Sequence, residues 1–190
     1  MPDIKDLTFL RLIIAEAFQA IPVRLFESIK ELTPEMIDRI YTYSAEIMTY
    51  PCYDAVGRII SRVPNPSVWV AVMQDIGREV KGFIWLEFDI IEQRVFVQAV
   101  AVDKEYQSSA GDVIENLIAY IKTLRISEEM KDNIQFATTK PKAYEKIGCK
   151  RSKRILMELK NEPVEPESND SIGPQERDDL PDPSRPDGED

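Results

Sequence analysis

Between Lys140 and Arg154 the chain carries seven cations in fifteen residues: Lys140, Lys142, Lys146, Lys150, Arg151, Lys153 and Arg154. Such a density of positive charge can neutralise phosphates, whether of a nucleic acid or of a nucleotide-bearing cofactor. The cations are not interleaved with the series of aromatic residues that a base-stacking surface needs, so a nucleic-acid partner is not expected. An acidic segment of the same chain begins just beyond and complements them. The chain has no histidine, which removes the commonest general base and metal ligand and every Ser-His or Cys-His nucleophile. Cys52 and Cys149 form no metal motif, no metal is expected, and two thiols in a chain this size suit a reducing compartment or simple packing. Asp112, with Glu115 three residues on, reads as a capping box opening a helix.

These groups need elements to place them. Residues 3–20 carry Leu7, Leu10, Ile14, Ala17 and Phe18 at helical spacing and predict an amphipathic helix that Pro22 stops. Val23 to Ser28 suits a strand or a short helix equally. Thr33-Pro34 is a helix start, followed by a face of Ile37, Ile40, Tyr41, Ser44 and Ile47. A further helix is expected from Tyr53 to Arg62, closed by Pro64-Asn65-Pro66. The period then changes to two: Val68–Met73, Val80–Phe88 and Val95–Val102, with tight connections, predict an antiparallel meander. The third run is apolar on both sides and belongs inside the sheet. A helix with Val113, Ile114, Leu117, Ile118, Ile121 and Leu124 follows. Then come a strand over 134–137, a short helix over 142–147 and a last strand over 155–159.

Charge divides the chain unevenly. Residues 1–160 hold 22 Lys+Arg against 23 Asp+Glu, whereas residues 161–190 hold two arginines against eleven acids and six prolines. The last segment cannot bury enough apolar surface to offset its ordering entropy and is expected to be a disordered acidic tail. The apolar run from Leu10 to Ala15 is too short to cross a bilayer, and no small-residue cleavage site follows a basic start. The expectation is a soluble, cytoplasmic protein without a membrane partner.

Two stretches carry a family likeness. Val100-Ala101-Val102-Asp103-Lys104-Glu105-Tyr106-Gln107 and Tyr144-Glu145-Lys146-Ile147-Gly148-Cys149 lie about forty residues apart with a helix and a strand between. Together with the element order they resemble the GNAT superfamily of acyl-coenzyme A-dependent N-acyltransferases over roughly residues 22–160. The resemblance implies an α+β fold, a mixed and mostly antiparallel sheet flanked by helices. To it this chain adds an N-terminal helical extension (1–21) and the tail (161–190). It also implies acetyl-coenzyme A beside Val100 and Val102, its pyrophosphate held by the loop Gln107, Ser109, Ala110, Gly111 and Asp112. The family loop reads Q/R-x-x-G-x-G/A, so that glycines admit the backbone and helix N–H groups bind phosphate. Here Ala110 and Asp112 replace the glycines, and a carboxylate at that place repels phosphate.

Tyr144 matches the family tyrosine that protonates the departing thiolate, and equally suits a packed tyrosine. Gln98 on the central strand cannot take a proton, which leaves Glu87 and Asp89 as the nearest bases, or as an ordinary solvated strand end. Two functions follow: acetyl transfer to an amine, or a catalytically silent domain of the same fold. Silent domains of this kind occur in short-tailed phages as virion-associated proteins, and the N-terminal helix or the acidic tail would meet a protein partner there.

Overall fold

The computed structural model describes residues 2–107, 110–138 and 141–152. Asp3 caps a 3-10 turn over Ile4–Asp6, after which the chain runs extended as β1, Thr8–Leu12. This corrects the helix expected over residues 3–20, and with it the extra N-terminal helix. Leu10 and Ile14 of the supposed helical stripe are exposed. As a strand, the segment instead stacks Phe9 on Tyr120, ring centroids 4.2 Å apart, and lays Arg11 over Trp69 at 3.5 Å. An open sheet edge satisfied its backbone, and ladder pairing outweighed a helical period with little to bury. A second 3-10 turn, Ala17–Ala20, sinks Ala17 and Phe18 into the core.

The ambiguous stretch after Pro22 forms a helix, α1, Val23–Glu27. As expected, α2 (Pro34–Thr42) begins at Thr33, whose hydroxyl accepts from Met36 N–H at 3.3 Å. After a break at Tyr43 comes α3, Ser44–Met48. The helix expected from Tyr53 to Arg62 is not there: β2 (Thr49–Tyr53) and β3 (Ile59–Pro64) form an antiparallel hairpin. Between them Asp54 accepts from the N–H groups of Val56 and Arg58 at 3.0 and 2.9 Å, and Gly57 takes φ +80°. An Asx turn with a left-handed glycine closes a hairpin more readily than it continues a helix, and β-branched Ile59, Ile60 and Val63 favour the strand.

The meander follows as read: β4 (Val68–Gln74), β5 (Val80–Asp89) and β6 (Arg94–Val102). Next come α4 (Ala110–Thr123), α5 (Glu128–Asp132), β7 (Ile134–Phe136) and α6 (Pro141–Glu145). The main sheet has the order β1-β4-β5-β6-β7. Every pairing is antiparallel except β6 with β7, which is parallel. The fold is thus α+β with a mixed, mostly antiparallel sheet.

Alternate residues of the inner strands feed two cores. Ala71, Met73, Ile84 and Leu86 pack on one face with Leu117 and Ile121 of α4. Val70, Val72 and Phe83 pack on the other with Phe18, Leu25, Phe26, Ile37 and Ile40. Each large apolar side chain so buried contributes about 1.5–3 kcal/mol. Gly82 lets β5 and β6 close up: a Cβ there would stand 2.7 Å from the Ala101 carbonyl oxygen and 3.2 Å from the Met73 methyl. The chain divides into Met1–Arg151 and Ser152–Asp190. The strand expected over 155–159 and the acidic tail lie outside the described residues.

Candidate functional site

The site is made by two strands that part. β6 and β7 pair only through Val95–Ile134, Phe96–Gln135 and Val97–Phe136. Arg94 pins the joined end, bonding Asp89 on β5 at 3.0 Å and the Gln135 side chain on β7 at 3.1 Å. Beyond Val97, β6 continues five residues to Val102 while β7 stops. The register against β5 also slips there, between Trp85 and Leu86, which face Ala99 and Val97 and leave exposed Gln98 as the extra residue. The backbone of β6 is therefore presented on its β7 side over the stretch that carries Val100 and Val102.

A cavity of about 410 Å³ opens at this place. Val100, Ala101, Val102 and Gln107 form one wall, Val113 and Ile114 of α4 another, and Tyr144 and Thr138 a third. Ser28, Ile29, Lys30 and Glu31 close it from the connection between α1 and α2. Four residues singled out in the sequence, Val100, Val102, Gln107 and Tyr144, thus meet around one space. Tyr144 is half-buried, its ring set edge-on to Phe136 of β7. The Gln107 side-chain amide donates back to the Val102 carbonyl and closes the end of the exposed β6 edge.

The loop and the head of α4 stand less as expected. Ser109 and its neighbour 108 lie outside the described residues. α4 starts at Ala110, so Asp112 is the third helical residue and lies within the first turn, not at the cap. The 3.6-residue apolar pattern, which begins at Val113, hid the polar first turn and displaced the expected cap by one turn. Gly111 occupies the second helical position. Asp112 still puts a carboxylate at the positive end of the helix dipole.

Glu87 pairs with Phe96 on β6, four residues before Val100, or about 13 Å along a strand. It does not line the cavity. Glu31 does, and no sequence signal singled it out: it sits in the polar connection between α1 and α2, whose place depends on packing between residues far apart in the chain. A second hollow of about 360 Å³ shares Ser28 and Val102 with the first and adds Arg24, Leu25, Asp103, Lys104 and Glu105.

Ion pairs brace this rim. Arg24 bonds both carboxylate oxygens of Asp103, at 2.9 and 3.3 Å, and the Val80 carbonyl at 3.0 Å. It ties α1 to the segment leaving β6, and the Asp103 hydrogen bond raises the guanidinium pKa further. Lys81 pairs with Glu79 and Glu105 at 2.9 and 3.2 Å, and those hydrogen bonds push its ammonium pKa above the usual range. Among the described residues no group of three or more His, Cys, Asp or Glu gathers that could hold a metal. No described helix is long and apolar enough to cross a membrane.

The residues present suit the acyl-pantetheine end of a coenzyme A thioester. The cleft volume falls in the range of about 300–1,000 Å³ usual for small-ligand sites. Its walls mix aliphatic side chains, Ile29, Val100, Val102, Val113 and Ile114 among them, with polar ones, and an exposed strand edge offers backbone groups to a ligand that itself carries amides. No family model matches the sequence, and no curated protein does. Among solved structures, a possible acetyltransferase from Clostridium difficile 630 is similar with a TM-score of 0.52 and 15% identity, over 81% of this chain and 97% of that one. A GNAT-family acetyltransferase from Streptococcus pneumoniae TIGR4 is similar at 17% identity over 82% and 99%, TM-score 0.48. A mutant spermidine/spermine N-acetyltransferase from Vibrio cholerae is similar at 18% identity over 76% and 79%, TM-score 0.47. The first of these likenesses shows a shared fold, and it agrees with the α+β fold expected from the sequence: the chain is folded like a GNAT acetyltransferase, in a divergent form.

Proposed function

We propose that the cleft holds the thioester end of an acyl-coenzyme A, acetyl-coenzyme A being the simplest, and that the protein transfers the acyl group to an amine. The observation that carries this reading is the convergence of Val100, Val102, Gln107 and Tyr144 on one cavity at the parting of β6 and β7. The bound thioester supplies an activated acyl carbon and a thiolate leaving group. Tyr144 donates the proton that the leaving sulfur needs, through its phenolic O–H. Glu31, at the opposite wall, accepts the proton that the attacking amine must lose. Glu87 is a base only for an acceptor that reaches toward Phe96. Val100, Val113 and Ile114 exclude water from the acyl end.

A second reading is favoured by one observation: Asp112 places a negative charge in the first turn of α4, where a pyrophosphate would bind. On that reading the domain keeps the fold and has lost the cofactor, and its role is to meet another protein. Titration of the full chain with acetyl-coenzyme A by calorimetry separates the two. The transferase reading expects micromolar binding, about −8 kcal/mol. No heat at cofactor concentrations on the order of 1 mM would leave the silent reading in possession.

A further inference from the structure

The two walls of the cleft are held in different ways. Tyr144 rests on Phe136 of β7, and Arg94 pins β7 to the sheet. The facing wall, Ser28 to Glu31, belongs to no strand. Its backbone is chained to α1 instead. Ser28 N–H donates to the Arg24 carbonyl at 3.2 Å, Ile29 N–H to the Phe26 carbonyl and Leu32 N–H to the Ile29 carbonyl, both at 3.0 Å. The Ser28 hydroxyl donates to the Leu25 carbonyl at 2.7 Å. Where α1 stands, Glu31 follows.

Two kinds of contact place α1. Leu25 and Phe26 are buried, with the Phe26 ring against Phe83 of β5 and Tyr41 of α2. Apolar burial is non-directional, so it holds α1 on the sheet without fixing its bearing. Arg24 supplies the direction. Its Nε and Nη2 grip both carboxylate oxygens of Asp103, and Nη2 also donates to the Val80 carbonyl. The grip has firm ground: Asp103 N–H donates to the Lys81 carbonyl at 2.7 Å, which ties the segment leaving β6 to the start of β5. A planar guanidinium suits such a forked contact, and an ammonium does not. Arg24 is one turn from Ser28, and Ser28 and Val102, the neighbour of Asp103, both line the cleft.

We infer that Arg24 is a positioning residue: its bonds to Asp103 and Val80 set the width of the cleft between Ser28 and Val102 and hold Glu31 where it can take the amine's proton. The inference rests on the transferase reading and adds to it a group that acts through Glu31. A displacement on the order of 1 Å at a reacting group can cost about a hundredfold in rate. An ion pair with an exposed member adds little to stability, and the Arg24 side chain is half-exposed. The effect therefore belongs in turnover and not in melting.

The test is a double-mutant cycle in the full chain: Arg24→Gln, Glu31→Gln and the two together. The substrates are acetyl-coenzyme A and a panel of primary amines (glycine ethyl ester, putrescine and a lysine-bearing peptide). Arg24→Gln is expected to lower kcat roughly tenfold to hundredfold, with acetyl-coenzyme A affinity and thermal midpoint near wild type. Arg24→Lys, which keeps the charge and one contact, should lose less. If Arg24 acts through Glu31, the double variant is no slower than Glu31→Gln alone, and losses that multiply overturn the inference. Amide exchange reads the tie without activity: Ser28 and Ile29 should lose protection in Arg24→Gln while the β5 amides keep theirs. Unchanged protection at Ser28 and Ile29 also overturns the inference. A wild type that acetylates no amine overturns the transferase reading and the catalytic role of Arg24 together. Loosened exchange at Ser28 would then place that failure in the chemistry and not in the tie.

Discussion

Tyr144 on α6 meets Phe136, the last residue of β7, edge-on with ring centroids 4.9 Å apart and planes at 64°. The contact holds the phenol against the strand whose early end opens the cleft. Position and packing of Tyr144 are therefore properties of its ring, while any proton transfer belongs to its hydroxyl.

That separation makes Tyr144→Phe informative. The ring contact survives, so the thermal midpoint and acetyl-coenzyme A affinity should stay near wild type while turnover falls by roughly one to three orders of magnitude. Steady-state kinetics beside calorimetry measures both. Unchanged turnover removes Tyr144 from the chemistry, and a large drop in midpoint assigns its hydroxyl a structural hydrogen bond.

Asp112→Asn removes a carboxylate from the first turn of α4. The helix should lose about 0.3–1 kcal/mol of dipole stabilisation. Acetyl-coenzyme A should bind more tightly by a similar energy, roughly twofold to fivefold. Titrations at low and high salt check it, since the gain should shrink as ionic strength rises. Equal affinity at both would place the pyrophosphate away from α4.

Gly82→Ala would bring its Cβ to 2.7 Å from the Ala101 carbonyl oxygen, a backbone atom that cannot turn aside. Because Ala101 also lines the cleft, the strain should appear twice: as a loss of about 1–3 kcal/mol in denaturant unfolding, and as weakened cofactor binding. A variant as stable as the wild type would mean that β5 and β6 separate freely at this rung.

Two turns should respond to acid. The Arg58 backbone N–H, helped by the Arg58 side chain and the N–H groups of Val56 and Gly57, holds the Asp54 pKa below the usual carboxylate range. The Glu92 N–H, with Arg94, does the same for Asp89. A carboxyl depressed in the folded state adds stability above its unfolded pKa of about 3.9 and loses it as pH falls through the folded value. Protection of the Gly57 and Glu92 amides, measured as exchange relative to the unstructured peptide at the same pH, should therefore fall as the pH is lowered below about 4. Asp54→Asn should flatten the response at Gly57 alone.

Most of the fold was legible where one period dominates. The meander 68–102 is three β-rich apolar runs separated by polar turns, and Thr33-Pro34 marks a helix by local chemistry alone. The failures share a cause. Residues 3–20 and 53–62 carry apolar residues at spacings that fit a helix, but several of those residues, Leu10, Ile14, Val56, Ile59 and Ile60 among them, stay exposed. Periodicity announces one continuous buried face, and here Leu7, Ala17 and Phe18 are buried without forming one. In the site, Tyr144, Gln107 and the Val100–Val102 strand were visible as motif residues. Glu31 was not, because its place at the cleft is made by long-range packing of the α1–α2 connection against β6.

The pairing of β1 with β4 joins residues far apart in the chain, from Leu12 with Val70 to Thr8 with Gln74. During synthesis β1 leaves the ribosome well before its partner exists. At about 5–20 residues per second the interval is several seconds, during which Phe9 has no Tyr120 and Arg11 no Trp69. Closing so long a loop is also slow once both strands are present. β1 is consequently made early and docked late, after the hairpins of the meander have formed among themselves. A chaperone that binds short apolar extended segments would find its longest opportunity in the stretch Phe9–Ile14, in the nascent chain and not in the finished sheet.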